Sequence, residues 1–497
     1  MISSIAFGAT ILVTLAITWW AAKRSTGRDS VYAASSSISG VQNGFAIAGD
    51  FMSATTILGL TALFFATGLD ATIYFAAPFI GFFLILALVA GPLRRLGRYT
   101  LGDVVSAMTG SVGTRRFAAV ATLVISLIYL VAQLVGAGKL ISILFSVQFA
   151  HAVAGIGALM TVYVVFGGML AATWVQIVKA TLLVVGVAVL GALALTRAGG
   201  FEVLYASVAD VTGGSGRIFA FGGSGQGPFT TLSFAAALVF GMLGMPHLLI
   251  RLFTVPDVAA ARRSIVTSTF VVGVVFLLLL LVVSPAAIAF VTPDARFHGD
   301  NGGIIGGPNM IVAHLASAVG GPWMFGAFSG VVLATILAVV AGLTISIATA
   351  VSHDLVGASR RVSERAELWI FRIGAVLVSA AAVALAMVFE HENVAILVAL
   401  AFVVAASSTF PVLILAIYWS GLTAAGALAG GIVGLVASVA LIIVGPAVWV
   451  SALGHAAPIF PSDYPTLLTM PLAFAVAIIA SKKGAKAAKL AASDSST

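Results

Sequence analysis

Asn43-Gly44-Phe45-Ala46-Ile47-Ala48-Gly49-Asp50-Phe51-Met52-Ser53-Ala54-Thr55-Thr56-Ile57-Leu58-Gly59 places one carboxylate, Asp50, between apolar stretches that both read as membrane-spanning. An ionisable side chain in a bilayer is costly and marks a pathway or a site. The glycines and hydroxyls around Asp50 predict a helix broken at that point, the device by which transporters expose backbone groups to ions and substrates. The bland reading of Asp50 is a hydrogen bond to backbone freed by the break. The functional reading is a cation site, for which the exposed carbonyls are also natural ligands.

Working outward, apolar runs of about 20 residues, long enough to span, recur from end to end. The chain has 497 residues, 61% of them hydrophobic and 8% charged, against roughly 25% charged in soluble domains. The fold class is all-α and polytopic; continuous rather than alternating apolar runs argue against a β-barrel. Thirteen spans are expected. Six precede the middle of the chain: Ile5–Ala22, Gln42–Thr67, Ile73–Leu93, Phe117–Phe145, His151–Leu170 and Val175–Leu195. Seven follow: Leu232–Phe253, Ile265–Val291, Trp323–Val351, Leu368–Phe389, Val394–Trp419, Ala424–Val444 and Leu467–Ala480.

The absence of cysteine excludes disulfides and thiolate chemistry. The net charge of +8 does not read as nucleic-acid binding, because the charge is sorted by loop. One side collects 19 Lys and Arg, among them Lys23, Arg24, Arg94, Arg115, Arg251 and Lys482, against Arg197, Arg217 and Arg296 on the other. By the positive-inside rule the rich side is cytoplasmic. The first run ends in Lys23-Arg24 and reads as a retained helix with its N-terminus outside, not as a cleaved signal. The expected location is the cell (inner) membrane, with a cytoplasmic C-terminus.

The seventh span carries a second break, Gly241-Met242-Leu243-Gly244-Met245-Pro246-His247. Breakers near the start of two five-helix groups point to inverted repeats. The expected organisation is therefore an accessory helix and loop over 1–41, a first repeat over 42–196, an external loop over 197–231, a second repeat over 232–419, accessory helices over 420–483 and a polar, disordered tail over 484–497. Two external loops, Arg197 to Gly227 and Pro293 to Pro308, are Gly-rich and expected as flexible connections.

Several further positions carry chemistry. Tyr129 and Gln133 share a helix face at i,i+4 and are candidate hydrogen-bond donors into a central cavity. Pro246 frees a carbonyl, and His247 is either structural or a proton relay. Arg251 is expected at the cytoplasmic end of its span. Lys139 either snorkels outward or attracts an anionic substrate. Gln176 and Lys179, after Trp174, read as an interfacial anchor. Ser407-Ser408 before Pro411 reads as a kink or gate.

At these residues the chain resembles the sodium:solute symporter family, and within it the cation/acetate symporters. The matching segments are Gln42 through Gly59, Leu130 through Lys139, Phe166-Gly167-Gly168 through Lys179, Gly244 through Val255, Ala334 through Thr344, Val351 through Leu355 and Ala405 through Ser408. The resemblance covers nearly the whole chain. It implies a LeuT-like fold of five plus five inverted helices and symport by alternating access, with no cofactor and with sodium or a proton as coupling ion. It implies sodium ligation by the carbonyls of Ala48 and Phe51 beside Asp50, with further positions at Thr335, Ala338 and Val339. The hydroxyls that relatives keep at the last two positions are missing here, a register shift offers Thr344 instead, and Gln176 stands where relatives often place aspartate. Both departures leave protons open as the coupling ion.

The expected activity is import of acetate and similar monocarboxylates, propionate or pyruvate, with a cation. The substrate would meet Ser53, Thr55, Tyr129, Gln133, Gly244 and Met245. A symporter of an amino acid or urea is the alternative within the class, and a channel the alternative outside it. A membrane enzyme or haem carrier is disfavoured, since cysteines and paired intramembrane histidines are missing.

Overall fold

The computed structural model describes residues 2–22, 38–96, 100–166, 169–214, 216–222, 226–356 and 363–494. Lys23, Arg24, Arg28, Arg98, Arg360, Arg361, Gly167, Gly168 and the run 223–225 lie outside the described residues. Among those described, ten helical stretches are long and apolar enough to cross a membrane, joined by the shorter apolar helices Ile2–Val13 and Phe149–Thr161. One stretch, Thr55–Leu96, is two passes. It turns at Gly68, whose φ of 58° only glycine adopts readily. The thirteen expected segments each have a helical counterpart.

Apolar side chains on most faces let these helices bury against one another or face lipid. The first half of the broken helix, Gly40–Phe51, packs between Val258–Leu278 and Met169–Ala198. The second broken helix, Pro228–Met242, packs on Val394–Ser407. The long helix Val112–Phe145 lies against the stretch Ile311–Thr349, which kinks at Gly321 (φ 68°) before Pro322, and both run beside the two breaks. Outside this frame the first helix, Ile2–Ala22, lies along Ile311–Thr349, and Ala424–Ile443 pairs with Thr466–Asp494.

Each break follows its sequence signal. Gly40–Phe51 ends at Met52, the chain runs non-helically through Met52 and Ser53, and a π-turn over Thr55–Gly59 leads into Leu60–Thr67. Pro228–Met242 ends at Leu243, and Pro246–Leu249 restarts after Met245. Met52 and Met245 adopt the same backbone angles, φ −74° and ψ 110°. The two breaks are thus the same local event in two helices.

Three expectations change. The region after Arg197 carries the helix Phe201–Val211 rather than only flexible chain. The loop after Pro293 is ordered by the antiparallel bridge between His298 and Ile304. Of the tail expected as disordered, residues 484–494 continue the helix Thr466–Asp494, whose last turns are rich in alanine and lysine, good helix formers; residues 495–497 lie outside the described residues.

Candidate functional site

Beneath the first break lies a buried charged layer. Asp50 Oδ2 accepts a hydrogen bond from Arg251 Nε at 2.5 Å, and Arg251 Nη1 reaches Thr173 Oγ1 at 2.6 Å. Arg251 is 2% exposed and Asp50 4%, so Arg251 does not mark the end of a span as expected. The broken seventh segment instead feeds it back into the core. Its carbonyl is held by Asn43 Nδ2 at 3.0 Å and by Thr254 Oγ1 at 2.8 Å.

Lys179 is likewise not at an interface. It is 1% exposed; its amine donates to the Gly49 carbonyl and, at 2.8 Å, to Gln176 Oε1. Gln176 Nε2 donates in turn to the Ala338 carbonyl at 2.9 Å. The helix carrying Lys179 begins at Met169, not near Val175, which puts the lysine ten residues, about 15 Å, inside. Gly49 is required at this crossing, because a methyl there would strike the Gln176 carbonyl.

Within the break itself the polar groups are organised by the helix Val112–Phe145. Gln133 Oε1 accepts from the Ala54 N–H at 3.1 Å, satisfying an orphan donor at the start of the second half-helix. Ser53 Oγ lies 3.3 Å from both Gln133 Nε2 and Tyr129 Oη. Tyr129 stacks on His247 at 5.2 Å, which ties the first break to the second. Thr409 Oγ1 donates to the Gly244 carbonyl at 2.7 Å, so the second break is supported by Thr409–Tyr418. Thr55 Oγ1 and His247 Nδ1 are buried polar atoms without a hydrogen-bond partner. Such atoms are costly and call for a ligand or water.

The structure therefore brings together Ser53, Thr55, Tyr129, Gln133, Gly244, Met245, Pro246 and His247. Other expected residues lie elsewhere. Ser407 Oγ bonds Thr469 Oγ1 at 2.6 Å, toward the last helix, and Ser408 Oγ turns back to the Val404 carbonyl. Lys139 pairs with Glu390 at 3.4 Å and lies over the Phe149 ring. Ser126, one turn before Tyr129, and Arg251, Thr173 and Thr409 belong to the polar core and are not legible from local motifs.

Around the expected sodium position other groups are already engaged. Of the two carbonyls expected as ligands, Ala48 O accepts the Met52 N–H; next to it Gly49 O holds Lys179, and across from it the Ala338 carbonyl holds Gln176. Neither Ala338 nor Val339 offers a hydroxyl. Gly342 faces Asp50, since a methyl there would lie 3.5 Å from Oδ1, and Thr344, two residues on, points to another face and bonds the Val340 carbonyl. Thr335 Oγ1 is buried and unpartnered. Arg251 already neutralises Asp50.

Access differs between the two sides. A vestibule of about 440 Å3 opens on the side away from the basic loops, lined by Thr67, Asp70, Gln226, Phe234, Asn393 and Tyr464. The ring pair Phe234 and Tyr464, 4.7 Å apart, lies at its edge. On the basic side the matching cavity, against Pro246, Thr122 and Thr349, is only about 20 Å3. Arg115 closes that side, bonding Asp354 at 2.8 Å and Asp103 at 3.1 Å, with His353 3.5 Å from Asp103. Asp103, His353 and Asp354 lie close enough to hold a metal ion, but the Arg115 guanidinium already sits among them. Burial pushes the Asp103 carboxyl up, and the His353 hydrogen bond and Arg115 outweigh it, leaving its pKa below the ordinary carboxylate value.

The sequence profile of the sodium:solute symporter family matches residues 31–434. Among solved structures, the chain superposes on a sodium-coupled sialic acid symporter in a substrate-bound outward-open state with a TM-score of 0.75, at 13% identity and 97% coverage of both chains. It also superposes on Mhp1, a nucleobase-cation-symport-1 family transporter in a closed conformation with bromovinylhydantoin bound. There the TM-score is 0.58 at 13% identity, over 93% of this chain and 96% of the other. These likenesses show the fold, a LeuT-like arrangement of inverted five-helix repeats.

Proposed function

Because the chain belongs to the sodium:solute symporter family, we propose that it is a secondary active symporter importing acetate and related short monocarboxylates, propionate and pyruvate among them, with a cation. The observation that carries this reading is the buried polar wall where the two breaks meet. Its unpartnered Thr55 Oγ1 and His247 Nδ1 belong to the same two breaks as Ser53, which Tyr129 and Gln133 approach, and His247 stacks on Tyr129. A carboxylate offers two acceptors to such donors, and a one- or two-carbon tail suits a wall this closely packed.

The basic side is taken as cytoplasmic, so the vestibule faces outward in an inner membrane and the N-terminus lies outside. The repeats over 42–196 and 232–419 then rock about the breaks. Coupling is to sodium or a proton. One charge moving through 100 mV supplies about 2.3 kcal/mol, roughly fifty-fold accumulation.

The test is labelled-acetate uptake into proteoliposomes under imposed sodium or proton gradients. Gradient-driven accumulation is expected; none under either gradient ends the proposal. Counterflow of labelled acetate separates a carrier from a channel. Stronger inhibition by an amino acid or urea than by propionate would move the substrate to the alternative class.

A further inference from the structure

Lys179 has no part in the substrate wall, yet it is among the largest fully buried side chains of the molecule. Its amine is seated on the carbonyl of Gly49, in the last turn of Gly40–Phe51. Carbonyls there have no partner within the helix and carry the negative end of its dipole. Gln176, one turn earlier on the same helix, accepts from Lys179 and donates to the Ala338 carbonyl of Ile311–Thr349. The pair forms a strut from the first broken helix to the helix facing it, engaging a carbonyl on each.

We propose that Lys179 is a tethered cation: its ammonium, seated on the Gly49 carbonyl next to the Ala48 position to which the resemblance assigns a free sodium ion, supplies the positive charge between these two helices from within the chain, and the core binds no sodium there. The inference rests on the symporter reading only for the location of the cation seat. Three separate features point the same way. The carbonyl oxygens of Gly49 and Ala338 are engaged by Lys179 and Gln176. The carboxylate of Asp50 is paired with Arg251. The hydroxyls that would complete a sodium shell are replaced by the side chains of Ala338 and Val339.

The experiment is equilibrium binding of 22Na+ and thermal unfolding of the purified protein. Sodium chloride is compared with N-methyl-D-glucamine chloride at equal ionic strength, without acetate. Expected are no saturable sodium binding and no sodium-specific shift in the wild type, and the same for Lys179→Arg. Lys179→Met leaves the Gly49 carbonyl open and is expected to gain saturable sodium binding with a sodium-specific rise in melting temperature. A saturable sodium site in the wild type overturns the proposal, as does a folded Lys179→Met that gains none. Should Lys179→Met not fold, the wild-type binding measurement decides alone. Acetate is not in the assay, so failure here leaves acetate symport standing, and failure of acetate uptake leaves this result standing.

Discussion

Asp50 and Arg251 lie 201 positions apart in the chain and 2.5 Å apart in the fold. A buried pair of this kind adds little net stability, because desolvation offsets the attraction, but stranding one partner is expensive. Arg251→Ala should therefore destabilise the protein by about 3–5 kcal/mol, read by chemical unfolding in detergent. Adding Asp50→Asn should recover part of that loss; an additive double mutant would show that the pair is not coupled. Asp50→Asn alone should alter uptake and its cation dependence, and unchanged values would remove Asp50 from the mechanism. At this scale the sequence showed half of the pair. Asp50 stands out against apolar neighbours, whereas Arg251 sits four residues past Pro246-His247, where a span end is the natural reading. Lys179 was obscured by a helix start placed six residues late, which turned a core lysine into an interfacial one.

At the scale of elements, both breaks were legible from glycine, proline and hydroxyls, because those residues disfavour continuous helix for local reasons. Their placement at matching points of two repeats was legible as well. The identical angles at Met52 and Met245 were not, because the two sequences share little beyond small residues. What stabilises the first break is Gln133, which caps Ala54 and holds Ser53. Gln133→Leu leaves a buried N–H unpaired, a loss of roughly 1–3 kcal/mol, and should abolish substrate binding. Gln133→Glu keeps the acceptor for Ala54 while losing the donor to Ser53. It should retain more stability than Gln133→Leu while still losing acetate affinity, a split measurable by unfolding and by binding to the purified protein. Equal stability of the two variants would mean that the cap contributes nothing.

At the scale of the molecule, the vestibule of about 440 Å3 faces one side and the cavity of about 20 Å3 the other. The smaller space has room for about one water molecule, too little for a passage, and the latch beside it joins Asp103, Arg115, His353 and Asp354. The depressed Asp103 value fixes the sign of its pH dependence. Its contribution is present above the unfolded carboxylate value, about 3.9, and is lost as pH falls through the lower folded value. Acid unfolding of Asp103→Asn should accordingly show a shallower loss of stability in that range than the wild type.

The latch also predicts a conformational response. Arg115 donates hydrogen bonds to the Asp354 carboxylate and to the His353 carbonyl and forms an ion pair with Asp103, and bonds to charged groups are worth roughly 1.5–3 kcal/mol each. Even one such loss shifts a closed-to-open equilibrium by about tenfold. The chain contains no cysteine, so a single Thr349→Cys in the wall of the small cavity reports opening without background. Thr349 is 6% exposed, and the introduced thiol should react slowly with a membrane-impermeant maleimide added from the basic side. Adding Arg115→Ala should raise that rate about tenfold, while a Thr67→Cys reporter in the vestibule should react more slowly as alternating access closes the opposite side. A rate increase at both reporters would mean loosening of the whole fold instead of a rocking exchange, and no change at Thr349→Cys would remove Arg115 from the latch.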